Sequence, residues 1–281
     1  MDAKIARKHA ALQERLRECG SVVVAFSGGL DSALVLKVAV HTLGRDRVLA
    51  VTGRSPSVPS AELSSVEALV AEIGARHEFL ATAEFDDPNY VSNPSNRCYF
   101  CKTELYTQLV QLAAARGFQT VVSGTNADDL GDFRPGLRAA DEHRVRAPLA
   151  DAGFTKADVR HLAAELGLSI HDKPASPCLS SRVPYGEEVT PEKLQRIDAA
   201  ETFLRELGFR ECRVRHHEKL ARIEIPPAEI GRFADAELRG RVDAKLRALG
   251  FQYVALDLRG FRSGSLNEVL LGTGLRDAGT E

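Results

Sequence analysis

The sequence predicts an α/β chain: a doubly wound parallel sheet first, then a second, smaller α+β domain. Three observations lead there. Short β-branched runs alternate with helical patterns up to about residue 166, as in βαβ units. A Ser/Gly turn joins the first of these runs to its helix. From about residue 180 the alternation gives way to one long helical pattern and then to strand-like runs close together. The change falls in a Pro/Ser-rich crossing, Lys173-Pro174-Ala175-Ser176-Pro177-Cys178, so the expected domains are 1–175 and 176–281.

Residues 1–19 carry an amphipathic helical pattern closed by Gly20. Val22 to Phe26 is a short apolar run, the pattern of a strand buried on both faces, and a helix follows to about residue 43. Val48 to Thr52 predicts a second strand, 60–74 a helix ended by Gly74, and His77 to Leu80 a third strand. Residues 102–116 are helical, and Gln119 to Gly124 a fourth strand; another helix covers roughly 155–166. In the second domain the pattern predicts a helix at 191–207, strands at 211–216 and 220–225, a helix near 228–248 and a final strand at 252–258.

Composition narrows the class. The chain has 281 residues and a formal net charge of −2, so bulk charge gives no reason to expect nucleic acid or an anionic membrane as partner. No apolar run is long enough to span a bilayer, and the first residues lack a secretory apolar region. Five cysteines, an odd count without the spacing of a small secreted domain, argue against a disulfide framework and make the cytoplasm the expected compartment.

Three segments carry chemistry. Ser27-Gly28-Gly29-Leu30-Asp31-Ser32 joins the first strand to its helix. Glycines there let amides approach an anion, and the helix start adds its positive dipole end, so the loop is built for phosphate. It is not a Walker A loop, because no Gly-Lys-Ser/Thr follows. After the fourth strand, Ser123-Gly124-Thr125-Asn126-Ala127-Asp128-Asp129 and then Asp132 put carboxylates at a strand's carboxyl end, where phosphates and Mg2+ would be held. The third segment is Arg97-Cys98-Tyr99-Phe100-Cys101-Lys102, placed just before a helix, where basic neighbours and the helix start would lower thiol pKa. Cys178 stands alone in the crossing. With no second CxxC and no His pair at finger spacing, a closed zinc site is poorly supported. Three such cysteines suit instead a 4Fe-4S cluster with one iron lacking a protein ligand. Cys19 is expected to pack within its helix and Cys212 to lie in a strand; His216-His217 reads as strand surface.

The SGGxDS loop resembles the PP-loop of the ATP pyrophosphatases, which adenylylate a substrate and release pyrophosphate. Together, SGGLDSAL, NRCYFCK, SGTNADD with RPG, ASPCLSSR, PYGE and Gly260-Phe261-Arg262-Ser263-Gly264-Ser265-Leu266-Asn267-Glu268 resemble the LarE family across nearly the whole chain. The resemblance implies ATP-dependent sulfur insertion in nickel-pincer nucleotide synthesis. A carboxylate of pyridinium-3,5-biscarboxylic acid mononucleotide is adenylylated, and sulfur displaces AMP to give the thiocarboxylate. It implies ATP and Mg2+ as cofactors, a homo-oligomer with a hexamer as one form, and an ATP site at Ser27, Gly28, Gly29, Asp31, Ser32, Gly124, Asn126 and Asp128. Two donor routes exist among such enzymes. Cys178 gives up its own sulfur and becomes dehydroalanine, or a 4Fe-4S cluster on Cys98, Cys101 and Cys178 carries an extra sulfide; three cysteines favour the second.

A mononucleotide with two carboxylates needs cations in fork geometry. Arg213 and Arg215 alternate on a predicted strand, Arg182 follows Cys178, and Arg262 with Ser263 opens a Ser/Gly turn suited to phosphate; Glu224 would orient an arginine or touch the substrate. Two rival readings are a tRNA-thiolating PP-loop enzyme and an ammonia-using synthetase of the NAD or GMP type. The first lacks a basic RNA-binding appendage here, and the second needs no cysteine at a domain crossing.

Overall fold

The computed structural model describes residues 2–131, 135–174, 176–262 and 264–267. Contacts divide the chain into two compact units, Met1–Ser176 and Pro177–Glu281.

The first unit begins with α1 (Ala3–Glu18), capped by the Asp2 carboxylate, which accepts from the amides of Lys4 (2.7 Å) and Ile5 (3.0 Å). Then come β1 (Val22–Ala25), α2 (Leu30–Leu43), β2 (Val48–Arg54), α3 (Ser60–Ile73), β3 (Arg76–Ala81), α4 (Pro88–Val91), α5 (Arg97–Arg116) and β4 (Thr120–Val122). After them lie α6 (Pro135–Glu142), α7 (Pro148–Asp151) and α8 (Lys156–Glu165). The four strands are parallel in the order β3-β2-β1-β4. Alternation along the strands feeds two cores. Val22, Val24, Val48 and Ala50 pack with residues of α1, α2 and α8, while Val23, Leu49 and Val51 pack with Tyr106 and Leu109 of α5. Helices thus cover both faces, which is why these strands read as unbroken apolar runs. The strand order reverses at β1, so the carboxyl ends of β1 and β4 form the switch point where such sheets bind ligands. The doubly wound α/β fold is as the sequence predicts.

The second unit holds α9 (Pro191–Glu206), β5 (Arg213–His217), β6 (Leu220–Glu224), α10 (Ala236–Ala248) and β7 (Tyr253–Leu256). Its sheet runs β5-β6-β7, antiparallel then parallel, and its core joins Ala200 and Leu204 to Val214, Ile223 and Leu246.

Several local expectations change. The helix expected near 228–248 is a 3-10 stretch, Pro227–Ala234, and then α10. Asp235 interrupts it because its carboxylate caps α10, accepting from the Glu237 amide at 2.8 Å. The Cys98/Cys101 pair lies inside the first turns of α5 rather than before it, since no breaker follows Asn96. His216 is not strand surface: it is 1% exposed, because it shares the core face of β5 with Val214 and its ring lies 5.2 Å from that of Phe251. The short helices α4, α6 and α7 span too few residues for a helical period to register. Among the described residues no helix is long and apolar enough to cross a membrane.

Candidate active site

β1 delivers the chain into Ser27-Gly28-Gly29 and α2 starts at once, with Gly29 as N-cap and no side chain capping the first amides. Those amides have no partner within the helix and face the switch point, a setting for an anion. Gly28 has φ +71°, the left-handed region that favours glycine. The Ser27 and Ser32 hydroxyls lie 3.2 Å apart, and Ser32 Oγ donates to the Gly29 carbonyl at 3.0 Å, which fixes the loop's curvature. Lys173 Nζ reaches the Gly28 carbonyl (3.4 Å) and Glu62 (2.6 Å).

The chain after β4 comes in against this loop. A Cβ on Gly124 would sit 2.6 Å from the Ser32 nitrogen, so only glycine lets the two backbones approach this closely. Asn126, buried, donates from Nδ2 to Asp31 Oδ1 at 3.3 Å. Asp128 lies in a 3-10 turn (Ala127–Gly131), and its Oδ2 accepts the Lys156 amide at 2.8 Å. Asp129 turns inward, accepting the Asn126 amide at 3.0 Å. Lys156, the first residue of α8, places its ammonium on Asp31. No pattern pointed to Lys156; it comes to the loop from 125 residues away in sequence. Ser27, Gly28, Gly29, Asp31, Ser32, Gly124, Asn126 and Asp128 are therefore gathered at one place, while Asp132 lies outside the described residues.

On α5, Cys98 and Cys101 are three residues apart and so share a helix face; Cys98 is exposed and Cys101 partly so. No disulfide joins any of the five cysteines. Among the described residues no three His, Cys, Asp or Glu side chains come together at metal-holding distance.

In the second unit Cys178 caps a 3-10 turn, Leu179–Arg182, and is partly exposed. Arg182 is fully buried: Nε and Nη2 donate to the two oxygens of Glu201, each at 2.9 Å. Its Nη1 donates to the carbonyls of Pro177 (2.7 Å) and Cys178 (2.9 Å) and to Ser181 Oγ (3.0 Å). Burial alone would raise the Glu201 carboxyl, but the Arg182 charge and hydrogen bonds hold it below its ordinary value. Arg215 forks onto Glu224 (3.0 and 2.8 Å) and also donates to the Ser181 carbonyl and Ser265 Oγ, both at 2.7 Å. Arg213 lies over the Phe261 ring at 5.1 Å, and burial together with the nearby Arg182 charge pulls its guanidinium below the ordinary value. Arg262 donates to the Gly260 carbonyl at 2.9 Å and lies 3.7 Å from Asp257; Ser263 falls outside the described residues. Tyr185 donates to Asn267 at 2.9 Å, so the PYGE and SLN segments meet.

A family model for NAD synthase matches residues 4–87, the stretch that carries the Gly28 loop. Over 75 residues, 27% of each chain, the protein is 36% identical to an NH(3)-dependent NAD(+) synthetase of Chlorobaculum tepidum. Two other likenesses run nearly end to end. An uncharacterized protein of Synechocystis is 49% identical over 92% of this chain and 96% of its own. The pyridinium-3,5-bisthiocarboxylic acid mononucleotide synthase of Lactiplantibacillus plantarum is 43% identical over 95% of this chain and 96% of its own. The chain belongs to this LarE-type synthase family.

Membership in the family, within the PP-loop ATP pyrophosphatases, accounts for the first-unit loop. The second unit redistributes the arginines. Arg182 is buried, and among the described residues its guanidinium is taken up by Glu201 and by backbone carbonyls of its own turn, a structural part in place of the contact with substrate expected of it. Glu224 orients Arg215, one of the two roles expected of it. Glu201 was missed: it lies mid-helix in α9, where a glutamate reads as surface, and nothing local shows that it faces inward.

Proposed function

We propose that the chain is an ATP-dependent sulfur-inserting enzyme acting on pyridinium-3,5-biscarboxylic acid mononucleotide. The supporting observation is the phosphate-shaped Gly28 loop, backed by Gly124 at the switch point, in a chain of the synthase family. A carboxylate oxygen attacks the ATP α-phosphorus and pyrophosphate leaves. A sulfur nucleophile then forms the C–S bond as AMP leaves with the C–O electron pair, any sulfur-bound proton going to water; where Cys178 is the donor, its α-proton is then lost and its Cβ–S bond breaks with the electron pair going to sulfur, leaving dehydroalanine and the thiocarboxylate. A second round gives the bisthiocarboxylate.

The residues have distinct parts. The first amides of α2 and the Ser27 and Ser32 hydroxyls face the phosphates. Asn126 holds Asp31, and Lys156 moves from Asp31 to the nucleotide's negative charge. Asp31 and Asp128 supply hard oxygen donors, and the Lys156 ammonium already marks Asp31 as a place for positive charge, so this pair fits Mg2+. When bound, the ion neutralises triphosphate charge. Arg213, Arg215 and Arg262 serve the mononucleotide's phosphate and carboxylates. Cys98, Cys101 and Cys178 are thiols outside any disulfide and would be the ligands of a 4Fe-4S cluster, which when bound would supply sulfide as the sulfur donor. The enzyme works in the cytoplasm as a homo-oligomer, a hexamer being the form to test first, without nucleic acid or membrane.

The test is anaerobic reconstitution with iron and sulfide, then incubation with ATP, Mg2+ and the mononucleotide. AMP, pyrophosphate and thiocarboxylate are expected in step. No AMP with this substrate overturns the reading. A chain that takes up no iron, and loses the mass of one hydrogen sulfide at Cys178, assigns the sulfur to that cysteine instead.

A further inference from the structure

We propose that Glu201 is a positioning residue for Cys178, acting through Arg182; this rests on the reading of Cys178 as the sulfur-handling residue. One nitrogen of Arg182, Nη1, holds the carbonyls of both Pro177 and Cys178. These carbonyls belong to the two peptide planes that flank the Cys178 Cα. Fixing both fixes the residue's φ and ψ, −57° and 154°, and with them the Cα–Cβ direction. The sulfur keeps only rotation about χ1. Ser181 Oγ closes the turn, donating to the Cys178 carbonyl at 2.8 Å and accepting from Arg182.

Arg182 can serve as an anchor only if it is itself held, and Glu201 holds it. The carboxylate takes Nε on one oxygen and Nη2 on the other, which sets the guanidinium plane and leaves Nη1 aimed at the turn. Glu201 is 0% exposed and has two more partners: Oε1 accepts the Val214 amide of β5 at 3.0 Å, and Oε2 accepts from Arg205, one turn further along α9, at 2.9 Å. It therefore refers the cysteine turn to the strand that carries Arg213 and Arg215. The substrate arginines and the sulfur residue share one buried reference point. Because misplacing a reacting atom by about 1 Å costs on the order of a hundredfold in rate, such a clamp acts on turnover rather than on affinity.

The test compares the full-length wild type with E201Q, which keeps the shape but weakens the hold on Arg182, and with R182K. R182K keeps the buried charge pair but cannot fork onto Glu201 while holding both carbonyls. It carries the test if E201Q does not fold. The first readout needs no substrate. On air-purified, reduced protein, iodoacetamide alkylation of the Cys178 peptide, followed by mass spectrometry, is expected to quicken by about threefold or more as the turn loosens. An unchanged rate in a folded variant overturns the clamp. The second readout is the split between kcat and KM. Thiocarboxylate formation is expected to fall roughly ten- to a hundredfold, with KM for the mononucleotide and mononucleotide-dependent ATP–pyrophosphate exchange within about twofold. A raised KM with kcat unchanged overturns the positioning role in favour of substrate binding. Should the wild type itself be inert toward the mononucleotide while alkylation quickens in the variants, the functional reading fails and the clamp stands.

Discussion

In the first unit the candidate site is mostly backbone: a glycine at φ +71°, a helix start without a side-chain cap, and Gly124 letting one strand end press against it. Its charges keep contact with water, Asp31 at 24% and Lys156 at 35% side-chain exposure. In the second unit the Cys178 turn is held by side-chain charges taken out of water, Arg182 on Glu201 and Arg215 on Glu224. A site made of open backbone and exposed charge adjusts when a ligand arrives. A turn tied by buried forks does not. The contrast matches the two tasks proposed for the chain: exchanging a large, charged nucleotide, and presenting one sulfur atom in one direction.

That contrast breaks most directly at Arg182. Arg182→Met leaves Glu201 buried without its main counter-ion, and about 3–5 kcal/mol of stability is expected to go, read as a lowered urea midpoint. Loss of less than about 1 kcal/mol would mean that the fork is not the anchor it resembles. Next comes His216. Burial pushes its imidazole down to about 4, with the Lys193 and Arg196 charges of α9 and neighbouring His217 adding to the effect. Among the described residues neither ring nitrogen meets a well-formed hydrogen-bond partner. The unfolded chain, titrating near 6.5, binds the proton first, so stability falls as pH drops from 6.5 to 4. At about 1.4 kcal/mol per unit the loss reaches roughly 3 kcal/mol. Urea titrations across that range should show the slope in wild type and a flatter one in His216→Leu; parallel slopes would remove His216 as the cause.

The same contrast explains what the sequence makes legible. Gly28 and Gly29 act through local geometry, so a six-residue stretch announces them, and the turn formed by Asn126, Asp128 and Asp129 follows the same logic after β4. The doubly wound sheet is legible for a related reason, since Val22 to Val24 and Val48 to Val51 are buried on both faces and read as apolar runs. Glu201, Lys156 and the inward turn of Arg182 are not legible this way. Each takes its meaning from a partner 19 or more residues away in sequence, and a charged residue in isolation reads as surface. His216 fails for the same reason: it shares Val214's core face, but a histidine reads as surface until its distant partner, the Phe251 ring, is known.

A smaller effect is expected where the first unit is backbone alone. Gly124→Ala puts a Cβ 2.6 Å from the Ser32 nitrogen and 2.9 Å from its Cα, neither of which can swing away as a side-chain tip would. The start of α2 must shift, at about 1–3 kcal/mol. Calorimetric titration with ATP and Mg2+ should show affinity reduced by about tenfold or more, with the alkylation rate of Cys178 unchanged. Unaltered nucleotide affinity would show that the close approach of β4 to α2 is not what shapes the phosphate loop.

The mildest change tests whether side-chain anchors matter in the first unit at all. Thr155 caps α8: its Oγ1 accepts the Asp158 amide at 3.3 Å, and Asp158 Oδ2 accepts the Thr155 amide at 3.0 Å, a reciprocal box. The next residue is Lys156, whose amide meets Asp128 and whose ammonium meets Asp31. Thr155→Ala removes one of the two capping bonds, together with the bond that Oγ1 donates to Asp158 Oδ2 at 2.7 Å, and should cost about 1 kcal/mol in urea unfolding. Lys156 is also held through its own amide, and its long side chain reaches Asp31 from a range of backbone positions. Nucleotide affinity should therefore change by no more than about twofold. A tenfold loss would mean that Lys156 is positioned as tightly as Arg182, and the distinction between an adaptable nucleotide site and a fixed sulfur turn would fall.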